Sequence, residues 1–263
     1  MFAGLFDSKP VLDQGSSEWI LDTFAWALEH FELNVFKADT QLILPTNDFY
    51  PGKVSSISEM AQSVFDKTLV YAGMQHWPVQ LVQPQHYQQH NLPRLSFAGA
   101  VRGQGSTPVI AGDIAGQEKI LISYNPNQIN QPQDLVASYA QSLAAVLILQ
   151  QGHLPPGGQE FMPQAVDLVA CFMGFGVMLA NTAYQFKGGC GSCYNPRANR
   201  EVALPEQEML YCLALFSVLK AIPAKEVAGH LKPHLKSTFK KAYKELTQKI
   251  KQSPNPALLA ATG

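Results

Sequence analysis

Apolar positions recur along this chain in two rhythms, and the switch between them organises it. Ile20, Phe24, Ala27, Leu28 and Phe31 fall at helical spacing behind Ser16 and Ser17, which predicts a helix from about Glu18 to Leu33 with one buried face. Gln41–Pro45 reads as a short strand ended by proline, and Thr46–Gly52 as a loop of turn formers. Ser56 and Glu59 then form a capping box, in which hydroxyl and carboxylate each satisfy an orphan backbone N–H. The helix they start carries a stripe of Ile57, Met60, Ala61, Val64, Phe65 and Leu69 and stops near Gly73. From Trp77 to Tyr124 the period shortens to about two residues, which predicts strands at Val79–Val82, Arg94–Val101 and Lys119–Tyr124. His86 and His90 stand four apart between two of them, a spacing that suits metal on a helix. Pro84 and the surrounding glutamines favour an exposed loop instead.

The second half returns to the helical period. Pro132 suits a first helical turn, and Leu135, Val136, Tyr139, Ala140, Leu143, Val146 and Leu147 cover most of the circumference of a helix running to about Gln150. Such a helix is buried rather than amphipathic. Val166–Ala183 forms a second apolar helix, with Asp167 near its start and Asn181 near its end, and Pro205–Lys220 a third. The first two apolar runs are each shorter than the roughly 20 residues that a membrane span needs, so no transmembrane segment is expected. Between Ala224 and Lys251 eight lysines face two glutamates, while Leu231, Leu235, Phe239, Tyr243, Leu246 and Ile250 keep near-heptad spacing. That predicts a basic amphipathic helix, either a solvated helix packed by its stripe or a surface for an acidic protein, nucleic acid or an anionic membrane. The expected organisation is one α+β domain over 1–221, the basic helix over 222–252 and a flexible tail over 253–263.

Composition narrows the classes. The chain has 263 residues, 46% of them hydrophobic, with 14 Phe, which is ample for a core. Its 20 acidic and 19 basic residues nearly cancel, so the chain as a whole has no electrostatic preference for nucleic acid or anionic lipid. Met1–Phe6 lacks a basic lead and meets Asp7 and Lys9 at once, unlike a secretory signal, so a cytoplasmic location is expected. Of four cysteines, Cys171 and Cys212 lie in apolar helical patterns as small hydrophobes, which argues against a disulfide framework.

The order of strand (Lys119–Tyr124), helix (Leu135–Leu149), Gly-Pro-rich loop (Gly152–Gly158) and helix (Asp167–Asn181, with Gly174-Phe175-Gly176 and Ala180-Asn181) resembles a poorly characterised bacterial family with zincin-like cores. The likeness covers roughly Leu42 to Leu219. It implies a zincin-like fold, with a small mixed sheet in the amino-terminal half packed on a mainly helical carboxyl-terminal half. It also implies that the first helix should carry His-Glu-x-x-His and the second an acidic residue near the metal. In such a motif two imidazoles one turn apart hold zinc and the glutamate takes a proton from the bound water. Here Gln141 stands at the first ligand position, Ser142 at the general-base position and Ala145, which has no donor, at the second ligand position. Asp167 alone matches. The resemblance therefore implies a degenerate relative, a pseudoenzyme with no catalytic residue and no catalytic zinc, acting by binding an unidentified protein partner. Taken without it, Gln141 and Asp167 are a polar pair between two helices, hydrogen-bonded to each other or to water.

Phe186–Arg200 holds Cys190 and Cys193 in a glycine turn. A C-x-x-C there can be an ordered loop or disulfide, one edge of a zinc site, or a redox pair. A structural zinc site needs further ligands, and His153 is the best candidate. If the two central helices pack antiparallel, however, His153 and the cysteines lie at opposite ends of them. Arg197 and Arg200 in this loop, with Lys232, Lys236, Lys240 and Lys244 of the basic helix, are the candidate contacts for an acidic partner.

Overall fold

The computed structural model describes residues 9–52, 56–87, 92–110, 119–183, 197–253 and 255–262. Helix α1 (Gln14–His30) begins one turn earlier than its apolar stripe suggests, because its cap is Asp13, whose carboxylate accepts from Ser16 N at 2.9 Å. Glu32 turns the chain in the left-handed region (φ 70°) into a short helix, α2 (Leu33–Ala38). Helix α3 (Ile57–Tyr71) starts at the expected cap, where Ser56 Oγ accepts from Glu59 N at 3.1 Å, and ends just before Gly73.

Among the described residues four short strands follow: β1 (Val79–Val82), β2 (Leu95–Phe97), β3 (Pro108–Ile110) and β4 (Ile120–Ser123). They make two two-stranded sheets, β1 and β4 parallel and β2 and β3 antiparallel, rather than one mixed sheet. Gln41–Pro45 joins neither, contrary to the strand expected there. Its bonding is drawn elsewhere, since Ile43 N donates to the carbonyl of Gly174 at 2.9 Å.

The remaining elements are helices: α4 (Pro132–Gln151), α5 (Met162–Ala170), α6 (Gly176–Asn181), α7 (Glu206–Leu219), α8 (Ala224–Gly229), α9 (Lys236–Lys251) and α10 (Pro256–Ala261). The described residues are therefore mainly helical with a small amount of sheet, an α+β arrangement. Helices α5 and α6 are the two halves of one apolar segment, joined by a π-turn at Cys171–Phe175. The break belongs to Gly174, at φ 103°, where a Cβ would come within 2.0 Å of Gln41 O. Gly176 is equally tied to packing, since a Cβ there would meet Leu213 Cδ1 at 2.8 Å. The Gly-x-Gly run thus lets the 41–43 segment and α7 approach the central helix closely.

Counted from Val166 the apolar segment is too short for a membrane, but its helical stretch starts at Gly158 and reaches 24 residues, long and apolar enough to cross one. Its most apolar window is 78% buried inside the fold, and the segment is broken in the middle. Cys171, Cys212 and most of α7 are buried with it.

The carboxyl-terminal region departs from expectation twice. The basic helix is two helices, because Pro233 lacks an N–H and interrupts it with a 3-10 turn at Pro233–Leu235. Phe239, Ala242, Leu246 and Ile250 of α9 are buried on α7. The expected flexible tail instead forms α10, capped by Asn255 Oδ1 accepting from Ala257 N at 3.0 Å. Leu258 and Ala261 are buried where it packs against α1 and α2. Two apolar side chains at helical spacing after an asparagine cap explain why this end docks.

Candidate functional site

Two contacts fix how α4 lies against α5 and α6. Gln141 in the middle of α4 meets Asp167 of α5, and Gln133 at the start of α4 accepts from Asn181 Nδ2 at the end of α6. The pairs run in opposite directions along the chain, so the helices are antiparallel.

Asp167 is fully buried, and both its oxygens are occupied. Oδ1 accepts from Gln141 Nε2 and from Arg200 Nη1, the latter a buried ion pair at 3.4 Å. Oδ2 accepts from the backbone N–H groups of Ala203 and Leu204, at 3.0 and 2.9 Å. The carboxylate is thereby fastened to the segment that leads into α7, which it orders. Four donors on a buried carboxylate offset much of its desolvation cost.

Arg200, only 3% exposed, extends this cluster. Its Nε donates to Thr182 Oγ1 (2.7 Å), Nη2 to Leu179 O (3.0 Å) and Nη1 also to Glu201 O (2.9 Å). Its backbone N donates to Asp134 Oδ1 at 3.0 Å. Burial lowers its pKa, while the neighbouring Asp167 and Asp134 pull it back up. Burial raises that of Asp134, opposed by the hydrogen bonds from Arg200 N and the Asn199 amide. Arg200 is thus no surface contact for an acidic partner, as its place in a charged loop suggested. Its guanidinium grips both halves of the broken helix, through Asp167 before Gly174 and Leu179 and Thr182 after it.

The other expected positions are scattered. Ser142 donates to Ser138 O at 3.0 Å, one turn back in its own helix. Ala145 is half-buried on α4 and offers no donor atom. Cys190 and Cys193 lie outside the described residues. Arg197 is exposed, and its carbonyl accepts from the Asn125 side chain at 2.6 Å. On α9 Lys240 and Lys244 are exposed and Lys236 half-exposed, whereas Lys232 precedes the 3-10 turn and gives its backbone N–H to Asn181 Oδ1 at 3.0 Å. His153 stacks on His30 of α1, with ring centroids 4.2 Å apart and planes at 21°.

Gln141, Ser142 and Ala145, where the resemblance expects His-Glu-x-x-His, do not fit zinc. An amide bonded to a carboxylate, a hydroxyl bonded to its own helix and a methyl group supply neither imidazole nor free base. Among the described residues no group of three or more His, Cys, Asp or Glu side chains is placed to hold a metal ion.

Sequence reasoning missed Arg102, the second buried arginine. Its guanidinium donates to Phe31 O (2.8 Å), Thr40 Oγ1 (3.0 Å) and, at 3.5 Å, Ala72 O, and lies 4.9 Å from the centre of the Phe172 ring. A lone arginine after Val101 in a glycine-rich connection was the available signal. No protein family, curated protein or solved structure matches the chain.

Proposed function

We propose that this chain is a degenerate zincin-like scaffold that acts by binding a protein partner rather than by hydrolysis. The single observation behind this reading is the use made of Asp167. The one acidic residue that the family resemblance places beside a metal spends its oxygens on Arg200, Gln141 and the backbone of 203–204. A carboxylate so engaged orders a loop, and it is not available to a metal or a water. The antiparallel α4 and α5–α6 pair also supports the reading, because it puts Gln141 and Asp167 at one level of the helix pair.

Incubation of the purified chain with casein and a mixed peptide library tests it. No cleavage is expected, with or without added zinc. Cleavage that a chelator abolishes and zinc restores would sink the proposal.

A second reading, in which α9 binds an acidic partner, draws on one observation. A groove of about 940 Å³ between the start of α1 and α9 is bordered by Lys9, Lys241, Lys244 and Lys249, against Glu18 and Glu245. Charge reversal at Lys241 and Lys244 should then abolish retention on an acidic peptide column at low salt. Unchanged retention would end this reading.

A further inference from the structure

A second cavity, of about 300 Å³, opens between the 45–52 loop, α3, the start of α4 and α6. Its volume is at the lower end of the roughly 300–1,000 Å³ typical of small-molecule sites. Two kinds of surface meet in it. Met60 and Val64 of α3, Val136 of α4 and Met178 of α6 supply an apolar wall, of which Met178 is 1% exposed and Val136 3%. Thr46 and Lys67 also border it.

The polar groups bordering the cavity differ in how far they are engaged. The Thr46 hydroxyl oxygen is buried and has no hydrogen-bond partner among the described residues. Leaving a buried hydroxyl unmatched costs about 1–3 kcal/mol. Lys67 is half-buried, and its ammonium has neither a hydrogen bond nor an ion pair among the described residues. It is the only charged side chain among the described residues lining the cavity, so no carboxylate there competes for it. Tyr50, by contrast, already contacts Thr68 Oγ1 at 3.3 Å, and Gln133 already accepts from Asn181.

The loop that carries Thr46 is held in place. Phe49 N and Tyr50 N both donate to Thr46 O, at 3.2 and 3.1 Å, and Tyr71 Oη donates to Phe49 O at 2.6 Å. The site is therefore largely preformed, which limits the ordering cost of occupying it.

We infer that this cavity binds a small organic acid, its carboxylate at the Lys67 ammonium and its apolar body against Met60, Val64, Val136 and Met178. The carboxylate answers a cation that has no partner among the described residues, and the apolar wall gains from excluding water. The inference is independent of the role proposed for Asp167, and a failure in the ligand titration leaves the hydrolysis test untouched.

Titration of octanoate into protein carrying ¹³C-methyl methionine tests it, with 1-octanol and octylamine as matched probes. Octanoate should shift the Met60 and Met178 signals with a Kd of about 1 mM, a realistic value for about ten non-hydrogen atoms. The methyl of Met162, outside the cavity, should stay still. Lys67→Met and Lys67→Gln should each weaken octanoate about tenfold, the loss of one charge-assisted contact, and leave octanol binding as it was. Ser63→Trp, which fills the mouth, should abolish both. The proposal is overturned if Met60 and Met178 do not move, if Met162 moves with them, if octylamine binds as well as octanoate, or if neither Lys67 variant weakens octanoate.

Discussion

The molecule buries two arginines and neutralises them by different means. Arg200 sits against a carboxylate, 3.4 Å from Asp167. Arg102, 1% exposed, has no carboxylate within ion-pair distance among the described residues. Its acceptors are the ends of helices. Phe31 and Ala72 are the caps that close α1 and α3, and Thr40 follows α2 with its own hydroxyl donating to Val35 O at 3.1 Å. Carbonyls at a helix end carry the negative pole of the helix dipole, so the two cap carbonyls, joined by the Thr40 hydroxyl just beyond α2, make a distributed counter-charge. Burial nevertheless pushes the Arg102 pKa down to about 10, with Glu32 and Asp39 opposing from a distance. Both arginines act on one segment, for Arg200 holds its two halves and Arg102 lies on the Phe172 ring in the turn between them. A compact countercharge can be removed by one substitution, whereas a distributed one cannot.

The largest effect should therefore come from Asp167. Asp167→Ala leaves Arg200 buried without its carboxylate and releases the backbone of 203–204, and breaking a buried pair from one side costs about 3–5 kcal/mol. Urea denaturation of the variant measures the loss. Asp167→Leu combined with Arg200→Met removes both charges and should recover at least half of it, because much of the single-variant cost is the stranded cation. A double variant as unstable as Asp167→Ala would mean that the hydrogen bonds to Ala203 and Leu204 dominate instead.

Gly174→Ala attacks the segment that the arginines share. The substitution forces a side chain into a positive-φ position with a Cβ 2.0 Å from Gln41 O. A loss of about 2–4 kcal/mol is expected from strain of this kind together with the displaced bond between Ile43 N and Gly174 O. Amide exchange at Ile43 should accelerate more than in α7, and equal acceleration in both would contradict the local account.

For Arg102 the informative change is conservative. Lys keeps the charge but cannot aim planar N–H groups at three helix ends, so Arg102→Lys should cost about 1–3 kcal/mol in thermal or urea unfolding. A neutral result would show that charge alone, not fork geometry, answers the helix ends.

How these features relate to the sequence follows from their reach. The Ser56 cap and the apolar stripes of α3, apart from the exposed Ile57, and of α4 depend on neighbours within one turn, and they were legible. So was the Gln141–Asp167 contact as a polar pair between two apolar helices. Arg200 was not, because the carboxylate it serves is 33 residues away and its loop composition reads as exposed. Arg102 depends on three helix ends that only the folded chain brings together. Pro233, however, lies within the basic stretch, and the near-heptad pattern runs straight across it. The spacing signal was genuine on both sides, yet one missing N–H decided the element.

A smaller, pH-dependent effect extends the comparison to a third cationic side chain, His30, in the last turn of α1. That position would ordinarily favour the imidazolium, but α1's capping carbonyl, Phe31 O, is already given to Arg102. Burial lowers the His30 pKa first and the stacked His153 second, with Glu29 opposing weakly, so His30 sits below its ordinary 6.5. A histidine depressed in the folded state binds fewer protons there than when unfolded. Stability is then complete above the unfolded value and falls as pH drops from about 6.5 towards the folded pKa. Thermal unfolding between pH 7.5 and 5.5 should show this decline, and His153→Ala should flatten it by removing the second cause while burial remains. If the slope is the same without His153, the two rings do not communicate and the His30 pKa is set by burial against Glu29.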